Sequence, residues 1–398
     1  MITKETIKQK TKENFALLLD IRHHLHQNPE LSFQESETAE YISKLLTVWG
    51  IKHQTGVGGY GIVGIIKGNN PDSKTIALRA DTDALPITEQ NQVAYKSLNT
   101  GLMHACGHDV HTTCLLGTAK MLQELRNEFE GTVKLIFQPA EEVLPGGAKL
   151  MIAEGVLENP VPQIITGQHV FPEMEVGKVG FKTGYYMASS DEINLYVRGN
   201  GGHAAIPNRS DDTVLAAAQV IVSLQKIASR NAPPAIPTVL SFGKIIGNGL
   251  HNVFPVEVAI HGTFRTFSEE WRAEAHQLIT ETAQLTAKAF GVECDVVIDK
   301  GYPAVFNNEP ATLYAKEAAI EYLGKESVVD LDIRMTAEDF GRFAQMVPGC
   351  FYRLGTANEE KGITSNLHTP TFDVDEQSIE IGTGVMTWLA LKQLELDS

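Results

Sequence analysis

The chain has 398 residues, 43% of them hydrophobic and 21% charged, which is the composition of an ordinary globular protein with ample material for a core. Lysine and arginine total 33, aspartate and glutamate total 49, and the formal net charge is −16. This acidic balance argues against nucleic acid or an anionic membrane as a partner, because both require clustered positive charge.

Helix and strand patterns alternate through the first half of the chain. Apolar residues recur at helical spacing in three segments, 15–25, 38–49 and 110–129. Short apolar runs predict three strands, over 75–81, 132–142 and 163–170. Strands separated by helices predict an α/β fold, with a central mixed, mostly parallel sheet and flanking helices.

The pattern changes near Asp191. Strand and helix signals then follow in the order β-α-β-β-α-β, over 193–197, 211–229, 238–246, 256–266, 268–290 and 292–298. This is the order of a ferredoxin-like unit. We therefore predict an inserted domain over 186–299 and a discontinuous domain formed by 1–185 and 300–398, which contains further helices and one strand over 310–323, 337–346, 351–355 and 378–394.

Cysteine usage and the N-terminal segment indicate a reducing compartment. The four cysteines are scattered without a C-x-x-C pair, so neither a disulfide framework nor a zinc ribbon is indicated. The opening MITKETIKQKTKENF has no apolar segment and no small-residue cleavage site. No apolar run reaches the ~18 residues of a bilayer span. We expect a cytoplasmic protein.

Polar side chains follow three of the predicted strands. Asp81 and Asp83 end the first, Glu141 and Glu142 the second, and His169 the third. Ligands of open α/β sheets bind beyond the carboxyl ends of the strands. We therefore expect these side chains to converge.

The stretch HACGHDVH contains Cys106 and His108, separated by one glycine. Thiolate and imidazole are good ligands for Zn²⁺ and related ions. Taken alone, the pair is better explained by a buried cysteine and a histidine that packs at a helix start. A third interpretation makes Cys106 the nucleophile of a thiol hydrolase, although no local signature of such an enzyme accompanies it.

The other candidates also have ordinary explanations. Glu141 and Glu142 suit two solvated loop acids, or one metal ligand beside a general base. His169 and His368 are explained singly as core or loop histidines, and His203 as part of a flexible glycine-rich turn.

Taken jointly, five ligand-type residues lie on separate segments: Cys106, His108, Glu142, His169 and His368. Five ligands are too many for one tetrahedral structural site. They suit two metal ions that share a bridging ligand and a water.

Several motifs occur in a family-specific order: HxxPELSFQE, RADTDALP, MHACGHDVH, FQPAEE, GQHV, GGHAAIP, AEDF and LHTPTFD. Together they resemble the co-catalytic metallopeptidase family that includes aminoacylases, hippurate hydrolases, N-acetyl-diaminopimelate deacetylases and indole-acetyl-amino-acid hydrolases. The resemblance runs from about Leu25 to Asp375. It implies a catalytic domain with two divalent metal ions, zinc or manganese, and an inserted lid through which relatives often form homodimers.

The resemblance also implies roles for individual residues. The metal ligands are the five residues named above, with Cys106 in the bridging position and Glu141 as general base. Asp83 and Asp81 lie behind the ligands. His203 on the lid helps polarise the substrate carbonyl, and Asn252 and Arg265 grip the substrate carboxylate.

Three positions depart from the family pattern and concern substrate preference. Asn208 stands where a histidine is frequent, and Thr336-Ala337 replace Gly-Ser before Glu338-Asp339. The function implied is hydrolysis of N-acyl-L-amino acids of the hippurate or N-acetyl type. A dipeptidase or carboxypeptidase using the same site is the alternative, and a non-catalytic small-molecule binding protein is a third.

Overall fold

The computed structural model describes residues 2–396 and has the predicted α/β architecture. Its α-helices are α1 (Lys4–Gln27), α2 (Ser36–Val48), α3 (His108–Glu124), α4 (Gly147–Ala153), α5 (Thr213–Lys226), α6 (Glu269–Ala289), α7 (Glu309–Leu323), α8 (Phe340–Ala344) and α9 (Gln377–Glu395). Its strands are β1 (Lys52–Val57), β2 (Gly61–Lys67), β3 (Thr75–Asp81), β4 (Thr132–Gln138), β5 (Ile164–Glu175), β6 (Val179–Phe181), β7 (Gly184–Met187), β8 (Asp191–Arg198), β9 (Gly202–His203), β10 (Thr238–Gly247), β11 (Val253–Phe254), β12 (Glu257–Thr266), β13 (Glu293–Lys300), β14 (Val305–Asn307), β15 (Val328–Asp330) and β16 (Gly349–Ala357).

The chain divides into two compact units. The second unit comprises Met187–Val305 and Ile333–Glu338, and the remaining described residues form the first. The short Ile333–Glu338 segment, which the sequence places in the discontinuous domain, is held in the second unit by backbone pairing. The Ala188 N–H donates to the Arg334 carbonyl at 3.0 Å.

The first unit is built on an eight-stranded sheet in the order β1-β2-β4-β3-β5-β16-β6-β15. Its centre is parallel, since β4, β3, β5 and β16 run in one direction, whereas β1 and β2 are antiparallel to their neighbours. Every residue of β3, β4 and β16 is buried. This is the pattern of strands covered by helices on both faces of a sheet.

Two predicted strand ends differ from the structure. Strand β4 ends at Gln138, so Glu141 and Glu142 lie in the turn that follows it. Strand β5 continues to Glu175, so the prediction that His169 ends its strand was wrong. The extension arises because β16 pairs with β5 well past His169, with Gly355 opposite Phe171 and Ala357 opposite Glu175.

The second unit has the β-α-β-β-α-β order of β8, α5, β10, β12, α6 and β13. Its antiparallel sheet has the order β10-β12-β8-β13. This confirms the ferredoxin-like topology. Strand β8 alternates as expected for a half-buried strand, because Ile193, Leu195 and Val197 face the helices and are fully buried.

Between residues 2 and 396 all four cysteines are buried and none forms a disulfide. No helix in that range combines the length and the hydropathy that a bilayer span requires.

Candidate metal centre

Gly107 sets the directions of the two neighbouring side chains, Cys106 and His108. It precedes α3 with φ +84°, a left-handed conformation that favours glycine. A Cβ atom there would lie 2.5 Å from Val170 Cγ2, inside van der Waals contact. The chain therefore turns sharply between Cys106 and His108, and both side chains are buried.

His108 begins α3 and is oriented by Asp83. Its Nδ1 donates to the Asp83 carbonyl at 2.8 Å and lies 3.2 Å from Asp83 Oδ1. Its Nε2 is buried and has no hydrogen-bond partner among the described residues. One ring nitrogen tied to a carboxylate or carbonyl, with the other available, is the arrangement of a metal-ligating histidine.

Glu141 and Glu142 occupy the turn after β4. A ring nitrogen of His108 and one oxygen from each glutamate lie within 4.8 Å of one another. The Asp339 N–H donates to Glu141 Oε1 at 3.4 Å. Glu142 Oε1 is buried without a hydrogen bond within the described chain, 3.2 Å from His368 Nε2.

His169 and His111 share the peptide group of Val170. His169 Nδ1 donates to the Val170 carbonyl at 2.8 Å, leaving His169 Nε2 3.5 Å from Cys106 Sγ. The Val170 N–H donates to His111 Nε2 at 2.8 Å, so His111 Nδ1 carries the proton and donates to Asp81. Both nitrogens of His111 are therefore engaged. Among the described residues, neither ring nitrogen of His111 is left available to a metal ion.

The five predicted ligands gather in two overlapping groups. The ligand atoms of Cys106, His108 and His169 lie within 4.8 Å of one another, and so do those of Cys106, Glu142 and His368. Cys106 is common to both groups, which is the placement that a bridging ligand requires. A thiolate, imidazoles and a carboxylate form a donor set that suits Zn²⁺ and related divalent ions.

The charges around the centre favour a cation. Contacts with Cys106 and Glu142 raise the pKa of His368, a half-exposed residue, to about 10. Burial and the Glu142 carboxylate raise the pKa of the Cys106 thiol. A divalent ion stabilises the thiolate that such burial disfavours. Together with the buried His108 Nε2 and Glu142 Oε1, these features fit a metal centre.

A buried ionic network lies behind the ligands. Arg79 donates to Asp81 at 2.7 Å, to Gln138 at 2.8 Å and to Asp339 at 2.8 Å. Burial acts to raise the pKa of Asp81, but His108, His111 and Arg79 outweigh burial and hold that pKa well below its usual range. Asp81 is therefore an anion already engaged by Arg79 and His111.

The predicted substrate-binding residues lie in the second unit. His203 is exposed on β9 and pairs with Val253 of β11, and the Ala204 N–H donates to the Asn252 carbonyl at 3.0 Å. His203 and Asn252 are thus neighbours. Arg265 is half-buried on β12 and donates to the Met335 carbonyl at 3.2 Å.

Sequence reasoning assigned no role to three residues near the centre: Arg79, Asp339 and Glu35. Arg79 had a detectable signal, because it is a charged residue inside an otherwise apolar strand that must be buried. Asp339 and Glu35 belong to quoted motifs, AEDF and PELSFQE, but their partners are distant in sequence. Glu35 accepts the Ala140 N–H at 2.7 Å.

Comparison with known proteins agrees with this geometry. The family model described as peptidase family M20/M25/M40 matches residues 77–392. N-acetyl-L-cysteine deacetylase of Bacillus subtilis is 39% identical over 91% of this chain and 84% of its own length. Thermostable carboxypeptidase 2 of Saccharolobus solfataricus is 36% identical over 98% of both chains.

A solved structure extends the comparison to the three-dimensional level. A dinuclear metal-binding peptidase of the M20 family from Bacillus subtilis superposes with a TM-score of 0.84 at 34% identity, covering 97% of this chain and 99% of that one. The resemblance drawn from the motifs is confirmed. Because the family model and these relatives match most of its length, the chain belongs to peptidase family M20/M25/M40 and is a hydrolase of that family.

Proposed function

We propose that this hydrolase cleaves the amide bond of N-acyl-L-amino acids, releasing a carboxylate and a free amino acid. The observation that carries the proposal is the pair of ligand groups sharing Cys106, with Glu141 beside them. A general base next to two metal sites is what amide hydrolysis by water requires.

In this proposal Cys106, His108, Glu142, His169 and His368 hold two divalent ions, zinc or manganese. When bound, two such ions polarise a carbonyl and lower the pKa of a water. Asp83 fixes the ring of His108, and the Val170 carbonyl fixes that of His169. Both imidazoles thereby present Nε2 to the centre.

Glu141 moves the proton. Its carboxylate takes a proton from the attacking water and passes it to the leaving amine. The Asp339 N–H, which donates to Glu141 Oε1, keeps that oxygen in a defined direction. A positioned base of this kind contributes roughly 10²–10⁴ in rate.

The roles of His203, Asn252 and Arg265 rest on the resemblance. The geometry of His203 supports its role, because the Ala205 N–H donates to His203 Nδ1 at 3.1 Å. That bond favours the neutral tautomer with the proton on Nε2, which can donate to a carbonyl oxygen acquiring negative charge. Arg265 offers a bidentate fork for the substrate carboxylate, assisted by Asn252.

A dipeptidase or carboxypeptidase activity is the second candidate. It uses the same centre on a peptide, and the similarity to a thermostable carboxypeptidase favours it. A non-catalytic binding protein would need ligands but no base, so Glu141 beside the ligands argues against that interpretation.

The deciding experiment combines metal analysis with a substrate panel. The purified chain is loaded with zinc, manganese, cobalt or nickel and tested on acetyl, benzoyl and indole-acetyl amino acids and on dipeptides. We expect about two ions per chain and the highest kcat/KM on an acyl amino acid. Preference for dipeptides would favour the second candidate, and inactivity on the whole panel would favour the binding protein. Light scattering tests the predicted homodimer.

A further inference from the structure

The turn at Ala140 decides where both glutamates point. Consecutive side chains of an extended strand point to opposite faces, yet Glu141 and Glu142 both reach His108. The chain achieves this by leaving β4 at Gln138 and passing through Ala140 with φ +51°. This is the left-handed region, where a residue with a Cβ persists only if its surroundings enforce it.

Two contacts enforce the conformation of Ala140, which is fully buried. Its carbonyl accepts the Gly147 N–H at 2.8 Å, and its own N–H donates to Glu35 Oε1 at 2.7 Å. Gly147 approaches so closely that a Cβ on it would lie 1.8 Å from the Pro139 carbonyl oxygen. Hydrogen bonds at both the N–H and the carbonyl of Ala140 therefore hold the turn.

The carboxyl group of Glu35 that accepts the Ala140 N–H is buried. Its side chain is 1% exposed, and its second oxygen has no hydrogen-bond partner within residues 2–396. Burying a carboxyl group costs free energy unless the group is hydrogen-bonded. The short bond from the Ala140 N–H therefore offsets part of this cost. Nearby Ser32 donates to Asp83 Oδ2 at 2.7 Å, and the Glu142 N–H donates to the same oxygen at 2.9 Å.

We infer that Glu35 is a positioning residue of the metal centre. Through the Ala140 peptide it holds the turn that directs Glu142 at the metal ions and Glu141 at the water. It touches neither ion nor substrate. The inference rests on the proposed function for the role of Glu141, whereas the effect on Glu142 concerns metal binding alone.

The test compares three variants at position 35 with a matched control. Glu35→Ala removes the acceptor, and Glu35→Asp withdraws it by one methylene while keeping a carboxyl. Glu35→Gln retains an acceptor at the same reach. The control is Glu30→Ala. It removes a carboxylate of the same segment that accepts the Ser36 hydroxyl and the Glu37 and Thr38 N–H groups at the start of α2, whereas the Ala140 N–H donates to Glu35.

Two quantities are measured: the affinity for added zinc or manganese by chelator competition, and kcat and KM on the best substrate of the panel. Supporting groups of this kind are typically worth ~10–100-fold in metal affinity or activity. We expect Glu35→Ala and Glu35→Asp to lose about that factor in metal affinity and kcat, with KM changed less than about threefold. Glu35→Gln should recover most of the loss, and Glu30→Ala should show none.

The outcomes are separable. If Glu35→Ala does not fold, Glu35→Asp decides. Near wild-type metal affinity and kcat in the folded variant overturn the inference, and so does an equal loss in Glu30→Ala, because that result shows a merely structural role. If the wild-type chain binds metal but hydrolyses no acyl amino acid, the proposed function fails. The metal-affinity comparison still tests Glu35.

Discussion

Replacing Gly107 by alanine should damage both stability and metal binding, for two reasons that the structure separates. The first reason is the backbone, because φ +84° costs a residue with a Cβ about 1–2 kcal/mol. The second is contact with Val170 Cγ2, which would lie 2.5 Å from the new Cβ. Ordinary carbon contacts are about 3.5–4.0 Å, so the two must separate by about 1 Å.

Overpacking of this kind in a buried site costs about 1–3 kcal/mol. The total loss for Gly107→Ala is therefore about 2–5 kcal/mol in the free energy of unfolding. The displacement also reaches the metal centre, because the Val170 peptide holds both His169 and His111. We expect a loss of about 10–100-fold in metal affinity.

Gly101→Ala is the matched control. Gly101 has φ +87°, and the described residues place no atom within 4 Å of its hypothetical Cβ. It incurs the backbone cost of about 1–2 kcal/mol without the contact. Urea denaturation of the metal-free variants measures the free energy of unfolding, and chelator competition measures the metal affinity. Equal stability and equal metal affinity in the two variants would refute the steric argument.

Three further predictions concern proton transfer, substrate binding and pH. Glu141→Gln should keep the metal ions and lose about 10²–10⁴ in kcat, and near-normal turnover with bound metal would remove Glu141 from the mechanism. Arg265→Ala should chiefly raise KM for substrates with a free carboxylate, and an equal effect on carboxylate-amidated analogues would contradict that role. Glu35→Gln should stabilise the metal-free chain increasingly as pH rises, because burial and the Asp83 carboxylate raise the pKa of Glu35 to about 7. The folded chain holds this proton more tightly than the unfolded chain, whose pKa is about 4.3, so ionisation destabilises wild type above pH ~4 and the cost levels off above pH ~7. In urea denaturation, the difference in the free energy of unfolding between Glu35→Gln and wild type should shift in favour of the variant by about 1 kcal/mol at pH 5 and by about 3.5 kcal/mol at pH 8. A pH-independent difference would contradict this prediction.

Local patterns predicted most of the architecture. The spacing of apolar residues predicted the long helices of both units and the central strands β3, β4, β5, β8, β10, β12, β13 and β16, because each periodicity is set by neighbours along the chain. It did not predict short elements such as α4, β6 and β7. It located strand ends less well. Strand β5 runs five residues past Val170 to Glu175, since its length is set by pairing with β16 and not by its own sequence.

The sequence by itself determined the residue types of the candidate metal centre and the order of the elements that carry them. Tertiary structure decided which of those residues meet. His111 stands one helical turn from His108, yet its ring is engaged by Asp81 and Val170, which no local pattern indicates. The contacts that orient the proposed base and ligands join residues far apart in sequence, such as Glu35 with Ala140, 105 residues away, and Arg79 with Asp339, 260 residues away. Such pairs form only when the parallel strands bring their carboxyl ends to one edge of the sheet. The candidate ligand types could therefore be named from the sequence, whereas the contacts that orient them could not.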